Sequence, residues 1–138
     1  MYHLDVTTRI RSSSKANAYL KVLVDKRVFA RMVDGYLFAA AYAMKQNLER
    51  VSLVGGGRHE IIVFGSIDRD VRLALEAGVY ALCKQNGQSE PRDSQELAER
   101  VMEYAEAGLR VLQKRWEGKI GSQIQNDIVK LLQVVTIT

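Results

Sequence analysis

The stretch VSLVGGGRHEIIVF, residues 51–64, sets three consecutive glycines, an arginine and a histidine between two runs of strand-forming residues. It reads either as a phosphate cradle or as a turn, and the choice decides the fold. A phosphate-binding loop needs GxxxxGK[ST] opening directly into a helix, because amides at a helix N-terminus make the cradle. Here the glycines run into HEIIVF, which reads as a strand. The dinucleotide fingerprint GxGxxG fails as well, since its sixth position is Glu60 and no crossover helix follows the entering strand. Gly55, Gly56 and Gly57 are therefore expected to reverse the chain at positive φ between two antiparallel strands.

Upstream of the glycines, HLDVTTRI (residues 3–10) alternates loosely and is rich in Val, Thr and Ile, so it reads as a short strand. Serines 12–14 offer an N-cap. Leu20, Val24 and Val28, with Leu23 beside them, then give a first helix one apolar stripe and turn its lysines outward. Asp34 is the next candidate cap. GYLFAAAYAMKQNLE behind it combines strong helix formers with apolar residues almost all round, the pattern of a buried central helix ending near Asn47.

Downstream, Ser66 or Asp68 can cap a helix carrying Val71, Leu75, Val79 and Leu82, which KQNGQSEPR ends. Asp93 followed by Glu96 has the form of a capping box. Leu97, Val101, Tyr104, Ala105, Leu109 and Leu112 mark the long amphipathic helix after it, reaching to Trp116, with Gly118 and Gly121 read as its stop. Residues 122–138 repeat helically through Ile124, Ile128, Leu131 and Leu132, and end in a β-branched run that reads as a strand or a docking tail. The expected fold is one α+β domain spanning residues 1–138, with four or five helices packed around a small antiparallel β-sheet and the helix from Tyr36 to Leu48 at its centre.

Length and composition agree with this. A chain of 138 residues, 47% hydrophobic and 26% charged, can bury a core without disulfides or metals. No apolar run reaches the length of a membrane span, and the charged N-terminal stretch MYHLDVTTRIR lacks a signal peptide's apolar run, so a cytoplasmic protein is expected. With one cysteine, Cys83, and two histidines, His3 and His59, there is no credible zinc set, and neither metal nor cofactor is expected.

The net charge of +4 gains meaning when it is located. Residues 1–35 hold seven basic side chains against three acids, which leaves thirteen of each sign in the rest of the chain. A basic end on a neutral body attracts polyanions by counterion release, and Arg9, Arg11, Lys15, Lys21, Lys26 and Arg27 are its candidate nucleic-acid contacts. The alternative reading of the same residues is the solvated face of an amphipathic helix.

Catalytic constellations are thin. EGK at residues 117–119 matches the carboxylate and lysine half of a nuclease motif but falls at a helix end. DRD at residues 68–70 could bind a hard cation only with further oxygen ligands, and helix capping accounts for it. Cys83 lies on the apolar side of its helix with no histidine near it in sequence, as a buried thiol does. No enzyme is expected.

DGYLFAAAYAMKQ, then a short β unit with HEIIVF, then RLALEAGVYAL and ERVMEYAEAGLRVLQKRW, together resemble the small accessory proteins encoded beside bacterial DNA phosphorothioation systems, the dnd system-associated proteins. Asp34, the alanines at 39–41 and the segment from Tyr104 to Leu109 echo that family's pattern, with Glu106 and Ala107 standing where it has Asn and Gly. The resemblance spans residues 9–117 and implies a non-enzymatic component of a DNA-modification or antiphage defence locus. Two other readings stand beside it. One is a protein interaction or assembly module whose segment 122–138 docks on a partner or on a second copy, a homodimer being the usual solution. The other is a ribbon-helix-helix-like DNA binder, because a strand followed by two helices opens the chain.

Overall fold

The computed structural model describes residues 1–53 and 58–133. Its elements run β1 (Arg9–Ser13), α1 (Ser14–Asp25), α2 (Met32–Lys45), β2 (Arg58–Val63), a 3-10 turn (Phe64–Ser66), α3 (Arg69–Gln85), α4 (Ser94–Arg115) and α5 (Gly121–Gln133). These make an α+β domain in which five helices surround a two-stranded antiparallel sheet. No described helix is long and apolar enough to cross a membrane.

Local chemistry starts and stops most helices where the sequence predicts. The Ser13 hydroxyl accepts the Ala16 amide, Asp68 accepts the Asp70 amide, and Asp93 accepts the Glu96 amide, each satisfying an orphan donor of a first turn. At the other ends α1, α2 and α3 close with the same six-to-one bond, from Val28 N to Leu23 O, Leu48 N to Ala43 O and Gln88 N to Cys83 O. The residue that turns left-handed is Arg27 at φ 60, Asn47 at φ 51 and Gly87 at φ 65 respectively. Asp34 is not a cap. It sits in the first turn of α2, and its carboxylate accepts the amide of Arg31, the residue in the cap position.

The core is built on α2 against α4, the most extensive helix contact in the molecule. Ala39, Ala40 and Ala43 are fully buried, which places α2 at the centre. Small side chains let the backbones approach so closely that a Cβ on Gly108 would lie 2.0 Å from the Ala39 carbonyl oxygen. Phe64, Ile10, Leu20, Leu97 and Leu112 are fully buried in the same hydrophobic cluster.

Three further expectations change. The first strand begins at Arg9 rather than His3, because the Asp5 carboxylate takes the Thr7 amide and hydroxyl at 2.8 and 2.7 Å and ties residues 5–8 into a turn. The predicted hairpin partner of β2 is replaced. Residues 51–53 form no strand, since Val51 N bonds Glu103 O at 3.3 Å and Leu53 turns into the core, while β2 pairs instead with β1. The glycine turn itself, residues 55–57, lies outside the described residues. Gly121 does not stop α4 but opens α5, where a Cβ would stand 2.4 Å from the Lys26 carbonyl.

The described part of the C-terminal segment docks on its own chain. Ile124 and Asp127 are buried, the Trp116 indole and Arg115 guanidinium both donate to the Asp127 carboxylate, and Lys45 Nζ reaches the Leu131 carbonyl at 2.9 Å. Val129 and Leu132 stay exposed on it, as does Ile120 just before it.

Candidate nucleic-acid interface

The β1–β2 ribbon is positioned by a buried polar cluster. Arg11 N and Ser13 N point away from β2 and toward α4, where they bond Met102 Sδ at 3.2 Å and Glu106 Oε2 at 3.1 Å. Ser13 Oγ donates to Glu106 Oε1 at 2.6 Å, and the Tyr36 hydroxyl from α2 donates to Glu106 Oε2 at 2.6 Å. A buried carboxylate with three donors aimed at it is a satisfied one. Burial, and then the charge and hydrogen bond of Glu106, push the Tyr36 phenol well above its usual range, so it stays a neutral donor. Strand, central helix and long helix thus meet at one side chain, and the ribbon's outward face is fixed by what its inward edge grips.

That outward face carries Arg9 and Arg11, two residues apart and so on the same side of β1. Register places Arg58 opposite Ser13 and Glu60 opposite Arg11. Arg58 is exposed and, two residues from Glu60, shares its side of β2, while its charge also reaches the buried Tyr36. Glu60 is the counter-charge, 3.2 Å from Arg9 and 3.5 Å from Arg11, with about half of each side chain in water. Such exposed pairs are worth at most about 1 kcal/mol, so phosphate can compete for either arginine.

The six predicted residues do not make one face. Lys15 lies in the first turn of α1 beside the ribbon. Lys21, six residues on, is rotated about 120° around the helix from it. Lys26 and Arg27 lie at the far end of α1, roughly 18 Å along its axis. There Lys26 Nζ donates to the Lys119 carbonyl at 3.1 Å, and the Arg27 carbonyl accepts from Gln125 at 3.0 Å. The structure groups Arg9, Arg11 and Lys15, and separates the others. Arg58 escaped the sequence reading because its place beside β1 depends on strand pairing, for which a charge count along the chain has no signal.

The other candidates find structural partners. Asp68 caps α3, and Cys83 is buried with Arg100 Nη1 2.9 Å from its sulfur. The EGK residues follow the end of α4, and no group of three or more metal-ligating side chains occurs among the described residues. The ribbon-helix-helix alternative pairs its first strand across a dimer. In this chain one edge of β1 is taken by β2 and the other faces Met102 and Glu106, so that pairing is blocked. Comparison with protein-family models, with curated proteins and with solved structures yields no match.

Proposed function

We propose that this chain is a non-enzymatic accessory protein of a bacterial DNA-modification or antiphage defence system, and that it holds nucleic acid on the β1–β2 ribbon. The observation that carries the binding part is the set Arg9, Arg11 and Arg58 on an antiparallel ribbon, the first two about half in water and the third exposed, with Lys15 beside the ribbon and Glu60 the counter-charge between the strands. A two-stranded ribbon fits the width of a duplex major groove. Arginine forks bind phosphate in two-point fashion. Nothing on this face reads bases, so the affinity it supplies is expected to be indifferent to sequence and steep in salt. The defence context rests on the resemblance carried by residues 9–117.

The test is a salt titration of DNA binding. Arg9, Arg11 and Arg58 changed together to glutamine should flatten the plot of log affinity against log salt by about 2 to 3 units, close to one per lost phosphate contact. Glu60→Gln should strengthen binding, because it removes the internal competitor. Lys26→Gln with Arg27→Gln should leave the slope unchanged. A wild-type chain not retained on DNA or RNA at about 50 mM salt, where such binding is strong, would end this reading. The interaction-module reading would then take its place, favoured by the exposed Val129 and Leu132 of α5 and by Ile120 just before it.

A further inference from the structure

At the opposite end of α2 from the ribbon, a cleft of about 630 Å³ opens between the C-terminal ends of α2 and α3. Its volume falls within the range of small-molecule sites. Asn47 and Asn86, from the two helix ends, bridge it with reciprocal amide bonds of 3.3 and 2.9 Å. Helix C-termini carry partial negative charge, so two of them converging favour a cation between them.

The floor of the cleft shows what kind of cation. Arg50 places a guanidinium nitrogen 3.1 Å from the Glu103 carboxylate, with both side chains about one-quarter exposed. The same guanidinium stands 6.0 Å over the centre of the Tyr104 ring. A largely buried carboxylate whose bound guanidinium also stands over a buried aromatic ring is the arrangement that recognises guanidinium and ammonium groups. Burial raises the Glu103 carboxyl above its ordinary range even with Arg50 beside it, so this carboxylate is under-compensated. Arg50 comes from the irregular segment after α2, whose Val51 amide is tied to the Glu103 carbonyl, so the part of it that can leave the carboxylate is its long side chain.

We propose that this cleft binds a small organic cation bearing a guanidinium or primary ammonium group, seated on Glu103 and Tyr104, and that Arg50 fills the seat until the ligand displaces it. The ligand class follows from the seat: one carboxylate, one ring face and the oxygens of Asn47 and Asn86 at its mouth, with Arg50 as the tethered example of what fits. The proposal is independent of nucleic-acid binding at the ribbon.

The experiment uses the full chain, with L-argininamide as the guanidinium probe, spermidine as the ammonium probe and inorganic phosphate as the anionic control. Amide and ring resonances of Asn47, Asn86, Glu103 and Tyr104 are followed by NMR. Removing the internal competitor by Arg50→Ala should tighten binding of at least one cation by about tenfold or more over wild type, as expected when a site is freed from a self-occupied state. Adding Glu103→Gln should abolish that gain. Arg50→Ala folding cooperatively yet giving no cation-dependent shifts would overturn the proposal and leave a structural ion pair, as would phosphate perturbing these residues when the cations do not. If Arg50→Ala does not fold, wild type decides: cation shifts confined to these residues support the seat, and silence to about 10 mM, weaker than any millimolar site, refutes it.

Discussion

Replacing Gly108 by alanine tests the packing at the centre of the fold, because two effects of known size oppose each other there. In an exposed helix this change stabilises by about 1 kcal/mol through helix propensity. Here the added Cβ would lie 2.0 Å from Ala39 O, 2.7 Å from Ala39 C and 3.2 Å from Ala39 Cα. All three are backbone atoms of a buried helix, so no side chain can rotate away. Relief requires α2 and α4 to separate by roughly 1 Å, and a gap of that size forfeits a quarter to a half of the dispersion energy of the contacts it opens. Overpacking of this kind costs about 1 to 3 kcal/mol, and a clash with rigid backbone belongs at the top of that range. Net of propensity, a loss of about 2 kcal/mol is expected. Urea unfolding followed by far-UV circular dichroism should show the midpoint falling by about 1 M at unchanged slope. Gly78→Ala is the control, since its Cβ meets the end of a flexible side chain, Met44 Sδ at 2.7 Å, which can move. That variant should be neutral or more stable. A Gly108→Ala protein as stable as wild type would refute the close helix crossing.

Ala40→Lys should abolish cooperative unfolding, because Ala40 has no exposed surface and an unpaired buried charge costs several kcal/mol against a total of about 5 to 15; a soluble, cooperatively melting variant would contradict the central place of α2. Arg27→Gly should stabilise by about 0.5 to 1 kcal/mol, since Arg27 ends α1 at φ 60 where only glycine avoids steric cost, and no gain in melting temperature would count against that strain. Hydrogen bonding from Arg115 and then from Trp116 holds the Asp127 carboxyl down at about 2 against 3.8 unperturbed. A depressed carboxyl stabilises fully above its unfolded value and loses that contribution as pH falls from near 4 to near 2, here about 2 kcal/mol. Asp127→Asn should remove this acid-dependent part, and identical acid-melting profiles for the two proteins would refute it.

Local structure was legible along the chain. Ser13, Asp68 and Asp93 cap because an oxygen two or three residues before an orphan amide suffices, whatever surrounds it. The stripe from Leu97 to Leu112 announces α4 because helical periodicity is written along the chain, and the run of alanines announces a buried α2. The basic end is legible as composition, and within it Arg9 and Arg11 alternate on β1 while Lys15 follows in the first turn of α1. The remaining features depend on residues far apart in sequence. The strand following the glycines chose β1 as its partner, over a nearer run of similar character, because Leu53 and the Val51 amide are engaged elsewhere. Pairing then brought Arg58 and Glu60 to β1, whereas it is the length of α1 that sets Lys26 and Arg27 at its far end. Glu106 meets Ser13 across 93 residues and Tyr36 across 70, and its role as the joint of strand and helices has no local signature. Capping and periodicity are short-range and survive in a single sequence, whereas charge placement and backbone approach are fixed by which distant surfaces bury one another.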